Sequence, residues 1–440
     1  MRLDRSTAAL SCFLATTYLL GAWRTSRPLP AAHVERTGTG TAVFEGRIVG
    51  APEIADTSIS YVVGELSSSG SSVAGRLLAR DRRMWPRHAY GERVRVTGEV
   101  RVAEHDGYGA SLRTRGIQAT MFDPWIETLS PAPASAFGML TRIREAIEGR
   151  IREVFPEPEA SLAVGLLTGT RASFPERLTD DLRRSGLTHL TAVSGSNVAI
   201  VLVVLEGLLF WVPRRFRLLP LVGGVFLFGT FTGASASVIR ACIMGSLGVL
   251  ALHAGRLPNA RRAILWTLGA MLLWNPLLLT GDLGFQLSFL SVIGILEVSP
   301  HLERVLRRVP DMLALRESVA LTLSSQITAG PWIAFKLGTF STVSLASNLL
   351  AAPLVPWAML GSASAVAASV AGLGLPAAFV ARLPLLGIIA AAHWPASLPF
   401  ASVDGIVIPA WALAGYYAAL AGVLRYANGR KGRPGDAGTA

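Results

Sequence analysis

Long apolar runs, broken by short arginine-bearing segments, fill the C-terminal half of the chain. Each run approaches the roughly 20 residues needed to cross a hydrocarbon core, so the pattern predicts a polytopic α-helical membrane protein. The stretch 341–381 has no Asp, Glu, Lys or Arg. It predicts two spans, or one broken at Pro353 and Pro356. The candidate spans are 187–211, 218–234, 236–254, 263–280, 283–298, 318–336, 341–370, 377–398 and 406–424.

Residues 7–23 form an earlier apolar segment that follows Arg2 and Arg5. A signal peptide has the same basic head and apolar centre. This segment ends in Trp23-Arg24 and not in a small-residue cleavage site. We therefore predict that residues 1–24 are a retained transmembrane anchor.

Residues 40–129 change to a two-residue period and predict an inserted all-β domain. In the run 92–102, valines occupy one face of a strand and charged side chains the other. Five short strands with Gly-rich turns are typical of a small OB-like barrel, and an open antiparallel sheet has the same pattern. The other four candidate strands are 41–50, 59–66, 72–80 and 109–121.

Residues 139–185 predict amphipathic helices between this domain and the spans. Ile143, Ile147, Ile151 and Phe155 recur every four residues. Such a helix lies on a membrane surface or packs on a neighbouring domain, and the sequence leaves both open.

The formal net charge is +12, and arginine supplies 39 of the 41 basic residues. Arginine-rich loops usually face the cytoplasm. With the clusters at 214–217, 256–262 and 304–308 and the tail 425–440 inside, the β-domain is extracytoplasmic and 186–424 is the multi-span domain.

Polar side chains inside apolar segments mark water-filled paths or hydrogen bonds between helices, and the sequence leaves these alternatives even. A second group surrounds Trp85 beside the β-strands, where arginine and an aromatic ring suit single-stranded nucleic acid and a solvated charge run is the plainer interpretation. The span residues are His189, Ser194, Asn197, Arg240, Asp282, Gln286 and Asn348, and the second group is Arg82, Arg83, Trp85 and Arg87.

No catalytic or metal-binding constellation is evident in the sequence. The seven histidines and two cysteines are scattered, and there is no Walker A motif. His189 and Ser194 are five positions apart, with no third group to orient them. We expect no cofactor, no metal and no enzymatic activity.

The segment 165–201 resembles the signature of the ComEC family of competence proteins. Its landmarks are Gly165, Arg171, Pro175-Glu176 and the run Gly186 to Gly195. The blocks 275–289 and 326–353 look like two further family signatures. This chain departs from the family pattern at Ser196 and Asn197, where a leucine and a histidine are usual, and it lacks the HxHxDH run of the metallo-β-lactamase-like domain that many members carry.

The resemblance implies a channel that passes single-stranded DNA across the bacterial cytoplasmic (inner) membrane during natural transformation. It further implies an extracytoplasmic DNA receptor, a cytoplasmic motor ATPase and a possible homo-oligomer as partners, besides the lipid bilayer. We expect Arg171 and the seven span residues to line the DNA path, and the group around Trp85 to form a platform where DNA arrives. The alternative is a small-molecule or ion transporter, which broken helices and polar residues at the midplane fit equally well.

Overall fold

The computed structural model describes residues 15–23, 34, 40–55, 57–104, 107–170, 174–191, 193–308 and 315–429. In the predicted anchor, residues 15–23 are helical (α1), and the rest of 1–24 lies outside the described residues.

The β-domain is a strongly bent sheet in which five strands form a closed ring. The ring order is β1-β3-β5-β7-β6 and back to β1, and the β5–β7 pair is parallel whereas the other four pairs are antiparallel. The elements are β1 Gly40–Ile48, β2 Glu53–Ala55, β3 Ser58–Ser68, β4 Ser71–Val73, β5 Leu77–Asp81, β6 Arg93–Val102, helix α2 Gly107–Thr114, β7 Ala119–Phe122 and β8 Trp125–Ser130. Closure removes the unpaired edges that an open sheet would expose.

The predicted alternation along 92–102 is confirmed. Val94, Val96 and Val100 are fully buried with Phe44 and Ile48 in the barrel core. On the outer face Arg95 binds Glu45 at 2.9 Å and Glu127 at 3.1 Å. The hydrogen bond that Arg95 donates to the Glu45 carboxylate raises the pKa of the Arg95 guanidinium.

The predicted strand 109–121 is wrong over its first half. Gly107–Thr114 is a helix, Leu112 packs with Ile117 in a small core, and Gly116 turns the chain at φ +75° before β7 begins. A single buried leucine fits a helix face as well as a strand face, so the spacing of apolar residues could not distinguish a helix from a strand here. The predicted strand 72–80 divides at Gly75 (φ +117°), and β8 was not predicted.

The rest of the described chain is mostly helical. The helices are α3 Ala136–Val154, α4 Glu159–Thr168, α5 Glu176–Arg184, α6 Gly195–Leu208, α7 Arg214–Phe231, α8 Ala236–His253, α9 Ala260–Trp274, α10 Leu278–Gly281, α11 Leu283–Glu297, α12 Ser299–Val305, α13 Leu315–Leu337, α14 Ser344–Ala351, α15 Val355–Val370, α16 Gly374–Ala396 and α17 Ala410–Gly429. Two short strands, β9 Thr339–Ser341 and β10 Ser402–Asp404, pair with each other.

Four candidate spans among the described residues are long and apolar enough to cross a membrane, and a bent pair of helices, α11 and α12, could supply a fifth. The four are Thr188–Leu208, Ala236–His253, Ser344–Val370 and Gly374–Ala396. The third is a single candidate span, interrupted by a 3-10 turn at Ala352–Leu354 that contains Pro353, one of the two predicted break points. The other predicted spans coincide with α7, α9, α13 and α17, which are helices but are not both long and apolar enough to be counted as candidate spans.

The chain divides into two compact units. The first comprises 1–176, 189–286 and 355–386, and the second comprises 177–188, 287–354 and 387–440. In the first unit, α2 packs on α10, and Asn275 donates to the Thr114 carbonyl at 2.9 Å. The amphipathic helix α3 packs on α4 and α15, which favours domain packing over a surface position for it.

In the second unit, side chains on α5 bind distant parts of the chain. Arg183 lies 3.0 Å from Asp404, and His393 lies 2.8 Å from Asp181. Gln326 donates to Ser344 at 2.5 Å, which links α13 to α14.

Candidate functional site

The polar residues at 186–197 do not lie on one helix. Thr188–Leu190 is a single 3-10 turn, and α6 begins only at Gly195. His189 therefore does not belong to α6, the helix that carries Ser196 and Asn197. The exposed His189 side chain stands on the separate turn.

The first turn of α6 carries an internal hydrogen-bond network. Asn197 is buried, donates to the Leu166 carbonyl of α4 at 3.2 Å, and accepts from Ser194 at 3.0 Å. Ser194 and Ser196 lie 2.6 Å apart, oxygen to oxygen. Ser194 is the N-cap residue, yet its hydroxyl caps no backbone N–H of the helix. Asn197 therefore links two helices, and the α6 start keeps its backbone donors uncapped by that side chain.

Arg240 lies one turn into α8 with only 7% of its surface exposed. Its Nη2 is 3.2 Å from the position that a Cβ on Gly195 would occupy, so the guanidinium adjoins the α6 start. Nη1 of Arg240 contacts the Met244 sulfur at 3.9 Å. Nε has no hydrogen-bond partner within the described part of the chain. A buried cation without a carboxylate is costly.

The start of α8 repeats the arrangement of α6. Ser235 is its N-cap residue, and its hydroxyl caps no backbone N–H. Ser235 instead lies 3.3 Å from Ser237, and Ser237 donates to the Val193 carbonyl at 3.4 Å. The α6 start thus adjoins the buried Arg240, which itself lies one turn into α8.

Asp282 and Gln286 have structural partners in the first unit. The Asp282 carboxylate accepts from the Phe285 N–H at 2.7 Å and so caps α11. Gln286 donates to the Leu279 carbonyl at 2.8 Å. These contacts are those of a helix cap and the turn that precedes it, between α10 and α11.

The remaining predicted path residues lie elsewhere. Asn348 belongs to the second unit, where it donates to Thr322 at 2.7 Å and links α14 to α13. Arg171 lies outside the described residues. The residues that the structure brings together are Ser194, Asn197 and Arg240.

The group around Trp85 is solvent-exposed, and its arginines are partly neutralised. Trp85 is 76% exposed, and Arg87 is exposed as well. Arg82 lies 3.7 Å from Asp123, and Arg83 lies 3.0 Å from Asp81.

A neighbouring aromatic pair, Phe122 and Trp125, was missed in the sequence. The Arg83 guanidinium lies 5.1 Å from the Trp125 ring centroid, and Arg80 and Arg101 lie 5.8 and 5.6 Å from that of Phe122. Both residues are exposed, Trp125 to 66% and Phe122 to 43%. We call Arg80, Arg83, Arg101, Phe122 and Trp125 the aromatic–arginine surface. The sequence signal was the run Phe-Asp-Pro-Trp at 122–125, two aromatic residues that flank a turn.

Comparison with known proteins assigns the helical part of the chain to a family. The sequence model of a family described as "Competence protein" matches residues 166–429, more than half of the chain. The chain belongs to the competence protein family. With its candidate spans, it is a multi-pass membrane protein of that family, as the sequence resemblance predicted.

Two curated relatives align with about half of the chain. ComE operon protein 3 of Bacillus subtilis is 25% identical over 225 residues, 51% of this chain and 28% of the relative. Uncharacterized protein YcaI of Escherichia coli is 27% identical over 220 residues, 46% of this chain and 28% of the relative. The alignments thus span just over a quarter of each relative. No solved structure matches the chain.

Proposed function

We propose that this protein passes single-stranded DNA across the bacterial cytoplasmic membrane during competence. Membership of the competence family supports a part in DNA uptake. A DNA strand is a polyanion that cannot enter hydrocarbon, so it needs a polar path with weak, repeated contacts. We assign the protein no catalytic role of its own.

The observation that carries the proposal is the aromatic–arginine surface of the β-domain. Exposed rings with guanidinium groups above them offer stacking faces for bases and positive charge for phosphates. Such contacts read no sequence, which suits a protein that must accept any DNA. The surface extends the predicted platform at Arg82, Arg83, Trp85 and Arg87 to the adjacent turn at 122–125.

We further propose that the β-domain is an OB-like module on the outer side of the membrane. A five-stranded ring with the order β1-β3-β5-β7-β6 supports this, because the OB-fold is a five-stranded Greek-key barrel that binds oligonucleotides. An outer DNA receptor would then deliver the strand to this domain. A cytoplasmic motor ATPase would supply the energy that a chain without a Walker A motif cannot.

The test is delivery of fluorescent DNA in a clean deletion strain, with surface-bound and cytoplasmic signals scored separately. We expect the cytoplasmic signal to disappear while surface binding persists, and plasmid-borne wild-type protein to restore it. Unchanged cytoplasmic signal in the deletion strain would contradict the proposal and favour the small-molecule transporter.

A further inference from the structure

We propose that the start of α6 and Arg240 together bind one phosphate group, and that in the working protein this is a backbone phosphate of the crossing strand. The assignment of the phosphate to DNA rests on the proposed function above. The phosphate site itself rests on four observations within the first unit.

The first observation is that two long helices begin with uncapped donors. Neither Ser194 nor Ser235 caps its helix with its hydroxyl. The first N–H groups of a helix have no intrahelical acceptor, and the helix dipole places partial positive charge there. A helix start of this kind favours an oxyanion.

The second observation is the buried guanidinium of Arg240, which adjoins the α6 start at Gly195. Its Nε is buried and has no hydrogen-bond partner within the described part of the chain. A charge at this depth is normally paired. The positive end of α6 and the adjoining guanidinium repel each other, and an anion between them removes that repulsion.

The third observation concerns the carboxylate of Glu148, on the helix that packs on α4. Glu148 of α3 accepts from Arg144 at 3.1 Å, from Thr168 at 2.8 Å and from Thr170 at 2.6 Å. Its oxygen Oε1 accepts all three bonds, and its charge is balanced by Arg144. Glu148 is therefore committed to its own network.

The fourth observation is the small size of the residues at both helix starts. Gly195 adjoins Arg240 on α6, and Gly233, Ala234 and Ser235 precede α8. A Cβ at Gly195 would approach the guanidinium to 3.2 Å, so a larger residue would crowd Arg240. Small side chains leave backbone N–H groups accessible to a tetrahedral oxyanion, and the guanidinium fork matches phosphate in two-point contact.

The experiment measures phosphate binding by the purified full chain in a neutral detergent, using ligand-induced thermal stabilisation and ³¹P line broadening. The probes are inorganic phosphate and a short oligothymidylate. We expect Arg240→Met to weaken both by about 10- to 100-fold, since it removes a charge-assisted contact. Arg240→Lys keeps the positive charge but not the planar guanidinium, so its affinity for both probes should lie between those of wild type and Arg240→Met. Arg256→Met, an exposed arginine in the α8–α9 loop, should bind like wild type.

The unliganded variants give a second readout. Removing a buried, unpaired charge should leave Arg240→Met at least as stable as wild type, whereas a purely structural arginine would destabilise the fold when lost. Lower stability of the unliganded Arg240→Met chain, or phosphate binding equal to wild type, would overturn the site.

The failures are separable. If DNA crosses the membrane and Arg240→Met still binds phosphate, the site fails and the function stands. If phosphate binds through Arg240 but DNA never crosses, the function fails and the site stands. Tighter competition by phosphatidylglycerol than by oligothymidylate would overturn the assignment to DNA in favour of a lipid headgroup.

Discussion

The Arg382 guanidinium donates two hydrogen bonds to one oxygen of the Glu159 carboxylate, from Nε at 3.0 Å and from Nη2 at 2.7 Å. The Glu159 side chain is only 3% exposed, whereas that of Arg382 is 38% exposed. The pair joins the first turn of α4 to α16, and both residues belong to the first unit. Glu159 also sits at the positive end of α4, which favours its charge.

This asymmetry predicts unequal losses of stability. Arg382→Ala leaves a buried carboxylate unpaired and should lower the free energy of unfolding by about 3–5 kcal/mol. Glu159→Gln keeps a side-chain oxygen that can accept from Arg382 and should cost less. The double variant should recover part of the loss. Thermal unfolding in detergent measures all three.

The control for that series is Arg183→Ala. Arg183 and Asp404 are 3.0 Å apart, but both side chains are more than half exposed. A solvent-screened pair of this kind contributes at most about 1 kcal/mol. If Arg183→Ala cost as much as Arg382→Ala, burial would not be the reason for the loss.

Asn197 is expected to stabilise the contact between α4 and α6. Asn197→Leu keeps the branched shape and the number of heavy atoms but removes the donor to the Leu166 carbonyl, so it should cost about 1–3 kcal/mol. Ser196→Ala is the matched control, because Ser196 is exposed. Equal unfolding temperatures for the two variants would show that the buried hydrogen bond is not important.

The aromatic–arginine surface predicts weaker DNA binding when its rings are lost. Trp125→Ala and Phe122→Ala should each weaken binding of single-stranded DNA by roughly 5- to 150-fold, because stacking contributes about 1–3 kcal/mol per base. Fluorescence anisotropy with labelled oligothymidylate at fixed salt measures this in the full chain.

Two comparisons sharpen that experiment. Val43→Ala truncates an exposed apolar residue of the same domain and should have no effect. Trp85→Ala tests the part of the platform predicted from the sequence, and we expect a smaller loss there because the recorded guanidinium–ring contacts involve Trp125 and Phe122. A loss confined to Trp85→Ala would move the binding surface to the 82–87 loop.

Tyr61 predicts alkaline sensitivity of the β-domain. Burial raises the pKa of its phenol above the ordinary 10.0. The neutral phenol is therefore favoured in the fold, and this contribution is complete below pH 10, then disappears as pH rises through the folded pKa. We expect unfolding to become easier above about pH 10, together with phenolate absorbance. Tyr61→Phe should flatten the pH dependence at some cost in stability, because the His88 N–H loses its acceptor at 3.3 Å. An unchanged slope in Tyr61→Phe would exclude this residue as the cause.

Local patterns decided most of what the sequence predicted correctly. The apolar runs gave the helices, because a segment that must satisfy its backbone in lipid has few alternatives. The valine alternation of β6 gave its buried face, and the motif at 165–201 gave the family. The 109–121 strand was wrong because one buried leucine carries no period.

The path residues show what a single sequence leaves open. His189, Asn197 and Arg240 looked alike as polar residues in apolar segments. In the structure His189 is exposed on a turn, Asn197 bonds a neighbouring helix, and Arg240 is buried with no carboxylate partner among the described residues. The aromatic–arginine surface joins β5, β6 and the β7–β8 turn, which lie far apart in the chain.

The sequence determined which segments are helical and apolar, which one is β-rich and to which family the chain belongs, since these follow from residue types within short windows. Only the tertiary structure decided that the barrel closes through β1 and β6, that Glu159 meets Arg382, and that Arg240 adjoins the start of α6. Such pairings depend on the packing of distant segments, and hydrophobic burial does not specify from a local window which polar groups will meet.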